Sequence, residues 1–339
     1  TSMNFKSLFI FLMEHDEYNT SFNLPPDGIY VIECAMESEP ILIPELSIIG
    51  QTNATYNNLA GAATVMSELS IKQISPVGTQ EILEHVPGIS AFSDDGIGNS
   101  RISVGIRGLN PRRSSRVLIL EDGVPIQPAL YVYPNMYYNP PVERIDGVEV
   151  IKGSGTIKYG PQTMGGIINY STRRPSLDLR ALADVTIGNN GYKSSFLELN
   201  GFGKDKIKNA IQLLYKTGDG FRQNNGFEQI NGTFKTIYSM SNDKNIYSKL
   251  GVNYENSNAT YTGMTEYSFS NDPTFNPKEY DNFKIFRTSF DLIETYKMSN
   301  DLRRDRKLFI SYFDRRWWRE NDIFTSVSNP DLAEVALSS

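Results

Sequence analysis

The stretch RISVGIRGLNPRRSSRVLILEDGVPI (101–126), continued by VERIDGVEVIKGSGTIKYGPQTMGGIINYSTRRP (142–175), decides the fold of this chain. Short runs of β-branched and aliphatic residues recur in it at 117–120, 148–151 and 167–170, and glycine pairs or Gly-Pro steps separate them. Apolar runs bounded by turn residues are typical of short strands. The pattern therefore predicts a compact, tightly turned sheet that carries arginines on its loops.

The composition narrows the functional classes. Of the 339 residues, 12% are aromatic, with 19 Tyr and 18 Phe, and these residue types favour strands. The net charge of −6 argues against a nucleic-acid binder, because such proteins neutralise phosphates with lysine and arginine. Cys34 is the single cysteine, so we expect no intrachain disulfide and no cysteine-based zinc site.

The chain divides by character into three segments. Residues 1–44 form a mixed lead-in, 45–177 form a glycine-punctuated block of helices and strands, and 178–339 alternate apolar with polar residues. Within the second segment, residues 67–85 are predicted to supply helical turns that stop at Val86-Pro87-Gly88. The third segment is predicted to form strands of about ten residues separated by Asn, Asp, Gly and Ser turns.

The alternation in the third segment has two interpretations. Around residue 290, one predicted face carries Phe286, Phe290, Leu292 and Tyr296, and the other carries Arg287, Ser289, Asp291 and Thr295. A soluble β-sandwich buries the apolar face, whereas a membrane β-barrel turns that face to lipid. The strand length and the aromatic residues at strand ends favour the barrel, but alternation alone does not tell which face is wet. The segment has room for about seven or eight strands.

The sequence offers no catalytic or nucleotide-binding motif. Gly155 and Gly160 have the glycine spacing of a phosphate loop, but Pro161-Gln162 follow where that loop needs Lys and Ser or Thr. His15 and His85 are far apart in sequence and belong to no metal-binding motif. We therefore expect no enzyme activity, no cofactor and no protein-bound metal.

Two arginine clusters are the candidate ligand-binding residues. Arg112, Arg113 and Arg116 lie in a predicted turn between strands, where planar guanidinium groups suit carboxylates or phosphates. Arg315 and Arg319 are predicted to share a strand face with Trp317, with Arg316 on the opposite face. A purely structural interpretation makes the first cluster solvated loop charges and the second an aromatic girdle with interfacial arginines.

Several motifs in the second segment occur in the order and spacing of one known family. They are VPGISA (86–91), GIRGLNPR (105–112), SR (115–116), DGVP (122–125), YGPQ (159–162), GGIIN (165–169) and TR (172–173). Residues 45–177 thus resemble the plug domain of TonB-dependent outer-membrane receptors, most strongly the ferric citrate (iron(III) dicitrate) receptor family. The resemblance extends less sharply to about residue 320.

The resemblance implies a fold, a location and partners. The fold is an α+β plug domain followed by an antiparallel transmembrane β-barrel, truncated here at about seven or eight strands of an expected 22. The location is the outer membrane, in contact with its lipid. The function is TonB-dependent uptake of an anionic ferric chelate such as ferric citrate, with the iron carried by the chelate. The partner TonB would bind a TonB box within 45–50, formed by Glu45, Leu46, Ser47, Ile48 and Ile49, unless this run is the first plug strand.

The family also implies roles for single residues. Arg107 and Lys152 occupy the positions of plug arginines that pair with barrel glutamates and hold the plug in place, although lysine lacks the bidentate fork. A ligand threonine of the ferric citrate receptor corresponds by spacing to Ile97, so a receptor for another siderophore stays open. A truncated, non-transporting remnant, a plug-like binding fragment, and a secreted β-rich enzyme or adhesin also stay open.

Overall fold

The computed structural model describes most of the chain, which divides into two compact units, Thr1–Pro44 and Glu45–Ser339. In the first unit, β1 (Ser7–Ile10) pairs antiparallel with β2 (Tyr18–Ser21). The predicted TonB box, Cys34 and Ile97 lie outside the described residues. The described residues are 7–10, 18–21, 61–93, 101–128, 136–258, 264–276, 278–299 and 302–320.

Two short helices follow the first strand of the second unit. Helix α1 (Glu68–Ile74) begins after Ser67, whose hydroxyl accepts a hydrogen bond from the Ser70 amide at 3.3 Å. Helix α2 (Thr79–Glu84) ends at His85, just before Val86-Pro87-Gly88. The predicted helical turns and their stop signal are thus confirmed.

The predicted plug is built on a five-stranded mixed sheet with a separate two-stranded sheet beside it. All three apolar runs of the sequence are strands of the mixed sheet, and two of these strands, Val117–Glu121 and Gly166–Thr172, run parallel. In the mixed sheet the order is β3 (Ala62–Ser67), β8 (Ile145–Lys152), β9 (Gly166–Thr172), β6 (Val117–Glu121), β7 (Val124–Pro125), and the small sheet pairs β4 (Ile89–Ser93) with β5 (Ile102–Ile106).

One tight turn in the mixed sheet places two acidic residues at its edge. Strand β6 is wholly buried and apolar until Glu121, and the chain then reverses into β7 through Asp122 and Gly123. Both turn residues have positive φ, 54° for Asp122 and 74° for Gly123, which is the backbone of a two-residue hairpin turn. The turn fixes Glu121 and Asp122 side by side at the end of a buried strand.

The third segment forms a second, large antiparallel sheet, in which each strand pairs with the next along the chain. Seven described strands belong to it, in line with the predicted seven or eight. A short helix, α3 (Glu266–Asn271), lies in the connection between the fifth and the sixth of these strands. The strands are β10 (Arg180–Ile187), β11 (Lys193–Phe202), β12 (Ile207–Gly218), β13 (Phe227–Ser241), β14 (Lys244–Ser257), β15 (Asn282–Lys297) and β16 (Arg303–Trp318).

The large sheet is inside out relative to a soluble β-sandwich. Its buried face carries polar residues such as Lys249 (2% exposed) and Asp291 (4%), and this face packs against the predicted plug. Its outward face carries apolar residues such as Leu250 (50% exposed) and Phe290 (38%). A sandwich would bury the apolar face instead, so the sheet is of the barrel type. The predicted fold class, a plug followed by antiparallel barrel strands, is confirmed.

None of the described helices is long and apolar enough to cross a membrane.

Candidate functional site

The first arginine cluster lies on a 3₁₀ turn, Arg112–Ser114, between β5 and β6. The turn holds Arg113 at φ 54°, a conformation that non-glycine residues seldom adopt. Two side chains stabilise it: the Ser103 hydroxyl accepts from the Arg113 amide at 2.8 Å, and the Asn110 carboxamide accepts from the Arg112 amide at 2.9 Å. The turn is therefore a rigid base from which the arginines project.

The predicted arginines of this turn line one open cavity of about 350 Å³. Guanidinium groups offer paired donors that match carboxylate oxygens, so a cluster of them favours a ligand with several carboxylates. The structure thus brings together Arg112, Arg113 and Arg116, as the sequence predicts. The lining residues are Asn110, Arg112, Arg113, Ser115 and Arg116.

The second cluster, at the end of β16, meets the first through aromatic rings. Arg113 donates from Nη1 to the Tyr137 hydroxyl at 3.1 Å, and Arg315 Cζ lies 4.7 Å from the centre of the Tyr137 ring. Trp317 is 5.3 Å from Arg113 Cζ and 5.7 Å from Arg319 Cζ, measured from the ring centre. The aromatic residues thus place Arg315 and Arg319 near the turn of the predicted plug.

The strand faces around Trp317 agree with the sequence prediction. Trp317 packs into the cluster of Tyr137, Phe283 and Ile285, and Arg315 is on the same side. Arg316 instead pairs with Asp314 at 3.1 Å, with 78% of its side chain exposed. Arg315 and Arg316 are therefore adjacent residues on opposite faces of β16.

A buried arginine that the sequence analysis missed supports the same cluster. Arg101 is 3% exposed, and its Cζ lies 4.6 Å from the Phe283 ring and 5.1 Å from the Trp317 ring. Phe283 in turn packs edge-on against Trp317, with ring centres 5.2 Å apart. No local pattern marks Arg101, because its aromatic partners come from distant strands of the large sheet.

A buried ionic network joins the predicted plug to the large sheet. Lys249 Nζ of β14 lies 2.8 Å from Asp122 Oδ2, 3.1 Å from Glu121 Oε1 and 3.2 Å from Asp291 Oδ2. Arg144 pairs with Glu121 at 2.6 Å, and all five side chains are almost fully buried. Buried charges are stable only when paired, so the partners depend on one another.

The electrostatics keep the two turn carboxylates ionised. Burial alone would raise the pKa of Glu121, but Arg144 and Lys249 lower it to about 2. The pKa of Asp122 is also held well below its usual range, against burial, chiefly by Lys249 and Arg174. Both groups are therefore negatively charged at neutral pH and bind the lysine of the large sheet.

Further hydrogen bonds extend the network along the large sheet. Arg144 also donates to Gln212 at 3.4 Å and to Asn231 at 3.3 Å, which lie on β12 and β13. Lys235 of β13 donates to the Thr172 hydroxyl at 2.8 Å and to the Arg173 carbonyl at 2.6 Å. The domain thus contacts successive strands of the sheet through polar side chains.

A comparison with protein families decides what this domain is. A model described as the TonB-dependent receptor plug domain matches residues 56–167. The chain carries a TonB-dependent receptor plug. The resemblance seen in the motifs is thereby confirmed.

Curated relatives and solved structures agree with the plug assignment. The vitamin B12 transporters BtuB of Vibrio vulnificus strains CMCP6 and YJ016 are 31% and 25% identical over 168 residues, or 49% and 50% of this chain. The chain spans about a quarter of these relatives, 26% and 27% of their length. Both relatives are named as transporters, and each matches this chain over only part of its own length.

Two crystal structures share the fold over plug and sheet. The unliganded ferric citrate transporter FecA aligns with a TM-score of 0.72 and 22% identity, over 80% of this chain and 42% of FecA. The ferric yersiniabactin receptor FyuA of Yersinia pestis aligns with a TM-score of 0.65 and 17% identity, over 79% of this chain and 43% of FyuA. At these identities the likeness shows the fold.

The predicted locking residues of the plug have local partners in the structure. Lys152 Nζ donates to the Pro87 carbonyl, a plug atom, at 2.7 Å. Burial and the nearby Arg107 lower the pKa of Lys152. The Arg107 amide donates to the Gly88 carbonyl at 2.9 Å, beside the same segment. Pairing of Arg107 and Lys152 with barrel glutamates stays a prediction.

The contacts of Lys249 with the plug were missed by the sequence analysis, and their charges are reversed from the expected ones. The acids Glu121 and Asp122 come from the plug, and the base Lys249 comes from the sheet. Arg173 of the plug, in contrast, pairs with Glu198 of β11 at 2.9 Å, which is an arginine of the plug with a glutamate of the sheet. A signal was present, since two carboxylates directly follow a buried apolar strand and need partners there. The partner itself was not identifiable, because alternation places Lys249 on a polar face without saying what that face contacts.

Within the described residues, no group of three or more His, Cys, Asp or Glu side chains is arranged to hold a metal ion.

Proposed function

We propose that the receptor carrying this plug takes up an anionic ferric chelate of the ferric citrate class across the outer membrane, driven by TonB. The observation that carries the proposal is the cavity of about 350 Å³ lined by Arg112, Arg113 and Arg116. Arg315 and Arg319 of the sheet extend this positive surface through Tyr137 and Trp317.

Recognition in this proposal needs no bond chemistry. The chelate presents carboxylates, and each guanidinium group can bind one through two parallel hydrogen bonds. The iron stays with its chelator and needs no ligand from the protein. Affinity then depends on charge and on the rigid placement of the arginines, so it falls as the salt concentration rises.

The proposal also gives roles to the outward face and to the segment before the plug. Leu250, Phe290 and the other exposed apolar side chains of the large sheet would contact outer-membrane lipid. Glu45, Leu46, Ser47, Ile48 and Ile49 would form the TonB box, captured as an added strand at a sheet edge of TonB. Pulling on this segment would move the plug against the ionic contacts around Asp122.

The test is binding of ferric citrate to the full-length receptor in detergent. Changing Arg112, Arg113 and Arg116 together to Gln is expected to weaken binding about a hundredfold, because three charge-assisted contacts are lost. Arg315→Gln is expected to weaken it about tenfold. The matched control is Arg316→Gln, which removes the same charge from the outward face and should leave affinity unchanged.

A second candidate ligand is vitamin B12, favoured by the 31% identity to a vitamin B12 transporter over half of this chain. The same variants separate the two. Tight binding of vitamin B12 that is insensitive to the arginine changes, with no binding of ferric citrate, would overturn the chelate proposal. Weakened ferric citrate binding in the arginine variants, with no binding of vitamin B12, supports it.

A further inference from the structure

We propose that Tyr137 is a positioning residue for the ligand site, because its ring holds an arginine of the plug and an arginine of the large sheet in one place. Arg113 Cζ lies 5.6 Å and Arg315 Cζ 4.7 Å from the centre of this ring. The inference rests on the proposed function and assigns a role to a residue that was not among the candidate ligands.

The Tyr137 ring is immobilised by its surroundings. It is fully buried and packs in a cluster with Phe283 and Ile285 of β15, at 5.7 Å between the ring centres of Tyr137 and Phe283. Trp317 packs against the same cluster from β16. A ring held in this way offers its π-face and hydroxyl at fixed positions, as a support for flexible arginines requires.

Hydrogen bonds tie the two residues that flank Tyr137, one through its backbone amide and one through its hydroxyl. The Met136 amide donates to the Arg113 carbonyl at 2.9 Å, which joins this segment to the arginine turn. The next residue, Tyr138, accepts a hydrogen bond from Arg144 Nη1 at 3.2 Å within the buried ionic network. Tyr137 therefore lies between the arginine turn and the contacts that seat the plug in the sheet.

Tyr137 offsets the repulsion between two positive charges at the site. Arg113 and Arg315 are both cations, and their mutual repulsion would drive them apart in the absence of a ligand. The negative face of an aromatic ring attracts each guanidinium group, and the Tyr137 hydroxyl also accepts from Arg113 at 3.1 Å. The ring thus holds two like charges in the positions that an anion needs, which reduces the ordering cost of binding.

Burial indicates that Tyr137 acts through the arginines and not on the ligand itself. Its ring has no exposed surface, whereas Arg112 and Arg116 are exposed around the open cavity. The predicted effect of changing it is therefore looser placement of Arg113 and Arg315. A purely structural role would change stability without changing how strongly Arg315 contributes to binding.

The first measurement is ferric citrate binding by the full-length receptor. Tyr137→Leu is expected to weaken binding about tenfold, and Tyr137→Phe, which keeps the ring, only about twofold to threefold. In the Tyr137→Leu background, Arg315→Gln should weaken binding by much less than the tenfold expected in the wild-type receptor, because Arg315 is already misplaced. Tyr312→Leu, on the outward face of β16, is the matched control and should have no effect.

The second measurement needs no chelate and keeps the two proposals separable. Phenylglyoxal modifies exposed arginines, and peptide mass spectrometry reports the rate at each position in the free receptor. In Tyr137→Leu, Arg113 and Arg315 should react about threefold faster, because losing one exposed cation–π contact corresponds to a factor of about this size. The modification rate of Arg316 should not change. If Tyr137→Leu does not fold, Tyr137→Phe with its smaller rise at Arg113 replaces it.

The outcomes are distinct. Unchanged modification rates at Arg113 and Arg315, or strictly additive binding losses for Tyr137→Leu and Arg315→Gln, would overturn the positioning role while leaving the chelate proposal intact. A wild-type receptor that does not bind ferric citrate would overturn the proposed function, and the modification rates would still decide the role of Tyr137.

Discussion

Lys249 of the large sheet and Asp122 of the plug form an ion pair of 2.8 Å in which both side chains are almost wholly buried. The same lysine contacts Glu121 and Asp291, so one cation offsets carboxylates from both parts of the protein. Removing one member of such a buried set leaves the others uncompensated.

Lys249→Met is therefore expected to destabilise the seated plug by about 3–5 kcal/mol, because Asp122 loses its nearest cation while its carboxylate stays buried. The measurement is hydrogen exchange of the plug strand amides in the full-length receptor. Lys244→Met is the matched control, since Lys244 pairs with Glu294 in a partly exposed position and is worth at most about 1 kcal/mol. Equal protection in both variants would contradict the prediction.

The lowered pKa of Glu121 predicts that the plug loses stability at acidic pH. The value of this pKa in the folded protein is about 2, below the ordinary 4.5, so the ionised form contributes stability above pH 4.5 that is lost as the pH falls towards 2. Plug stability is thus expected to decline between pH 4.5 and 2, as read from amide protection. In Glu121→Gln this part of the pH dependence should disappear; a profile identical to wild type would show that Glu121 is not responsible.

The raised pKa of Asp146 predicts that plug stability depends on pH in the opposite direction. Burial, and then the nearby charge of Asp122, raise this pKa from 3.8 to about 6. The folded state therefore binds more protons than the unfolded state between these values, and stability from this group rises as the pH falls from 6 to 3.8. Asp146→Asn is expected to stabilise the plug at pH 7 by about 1–3 kcal/mol, measured by thermal unfolding. No gain at pH 7, or an equal gain at pH 4, would contradict this assignment.

The outward face of the large sheet gives a prediction that separates lipid from water. Leu250→Arg is expected to cost about 2–4 kcal/mol if its face contacts the bilayer interior, because a charged group is then moved into lipid. The measurement is the yield of folded, heat-modifiable receptor on refolding into lipid vesicles. Ile207→Arg, at the first residue of β12 on the same outward face, serves as the control with little expected effect. A neutral outcome for Leu250→Arg would argue that this face is in water.

Local patterns predicted much of the fold. The apolar runs at 117–120, 148–151 and 167–170 became β6, β8 and β9, because short β-branched runs bounded by glycine have few other solutions. The alternation around Phe290 predicted the two faces of β15, because side chains alternate strictly along a strand.

The candidate site was predictable only in part. Arg112, Arg113 and Arg116 are close in sequence and lie on one turn, so their joint lining of a cavity follows from local structure. Tyr137, Arg101 and Phe283 join them through packing between the plug and distant strands, and nothing in their own neighbourhoods marks them.

The sequence by itself determined the strands, the turns and the polar and apolar faces, because these depend on neighbouring residues and on the pleat of a strand. Only the tertiary structure decided that the polar face of the large sheet is the buried one, because it is the plug that covers that face. The partners of the buried charges were decided there too. Burial forces Glu121, Asp122, Arg144 and Lys249 to pair, but which acid meets which base depends on how two distant segments pack.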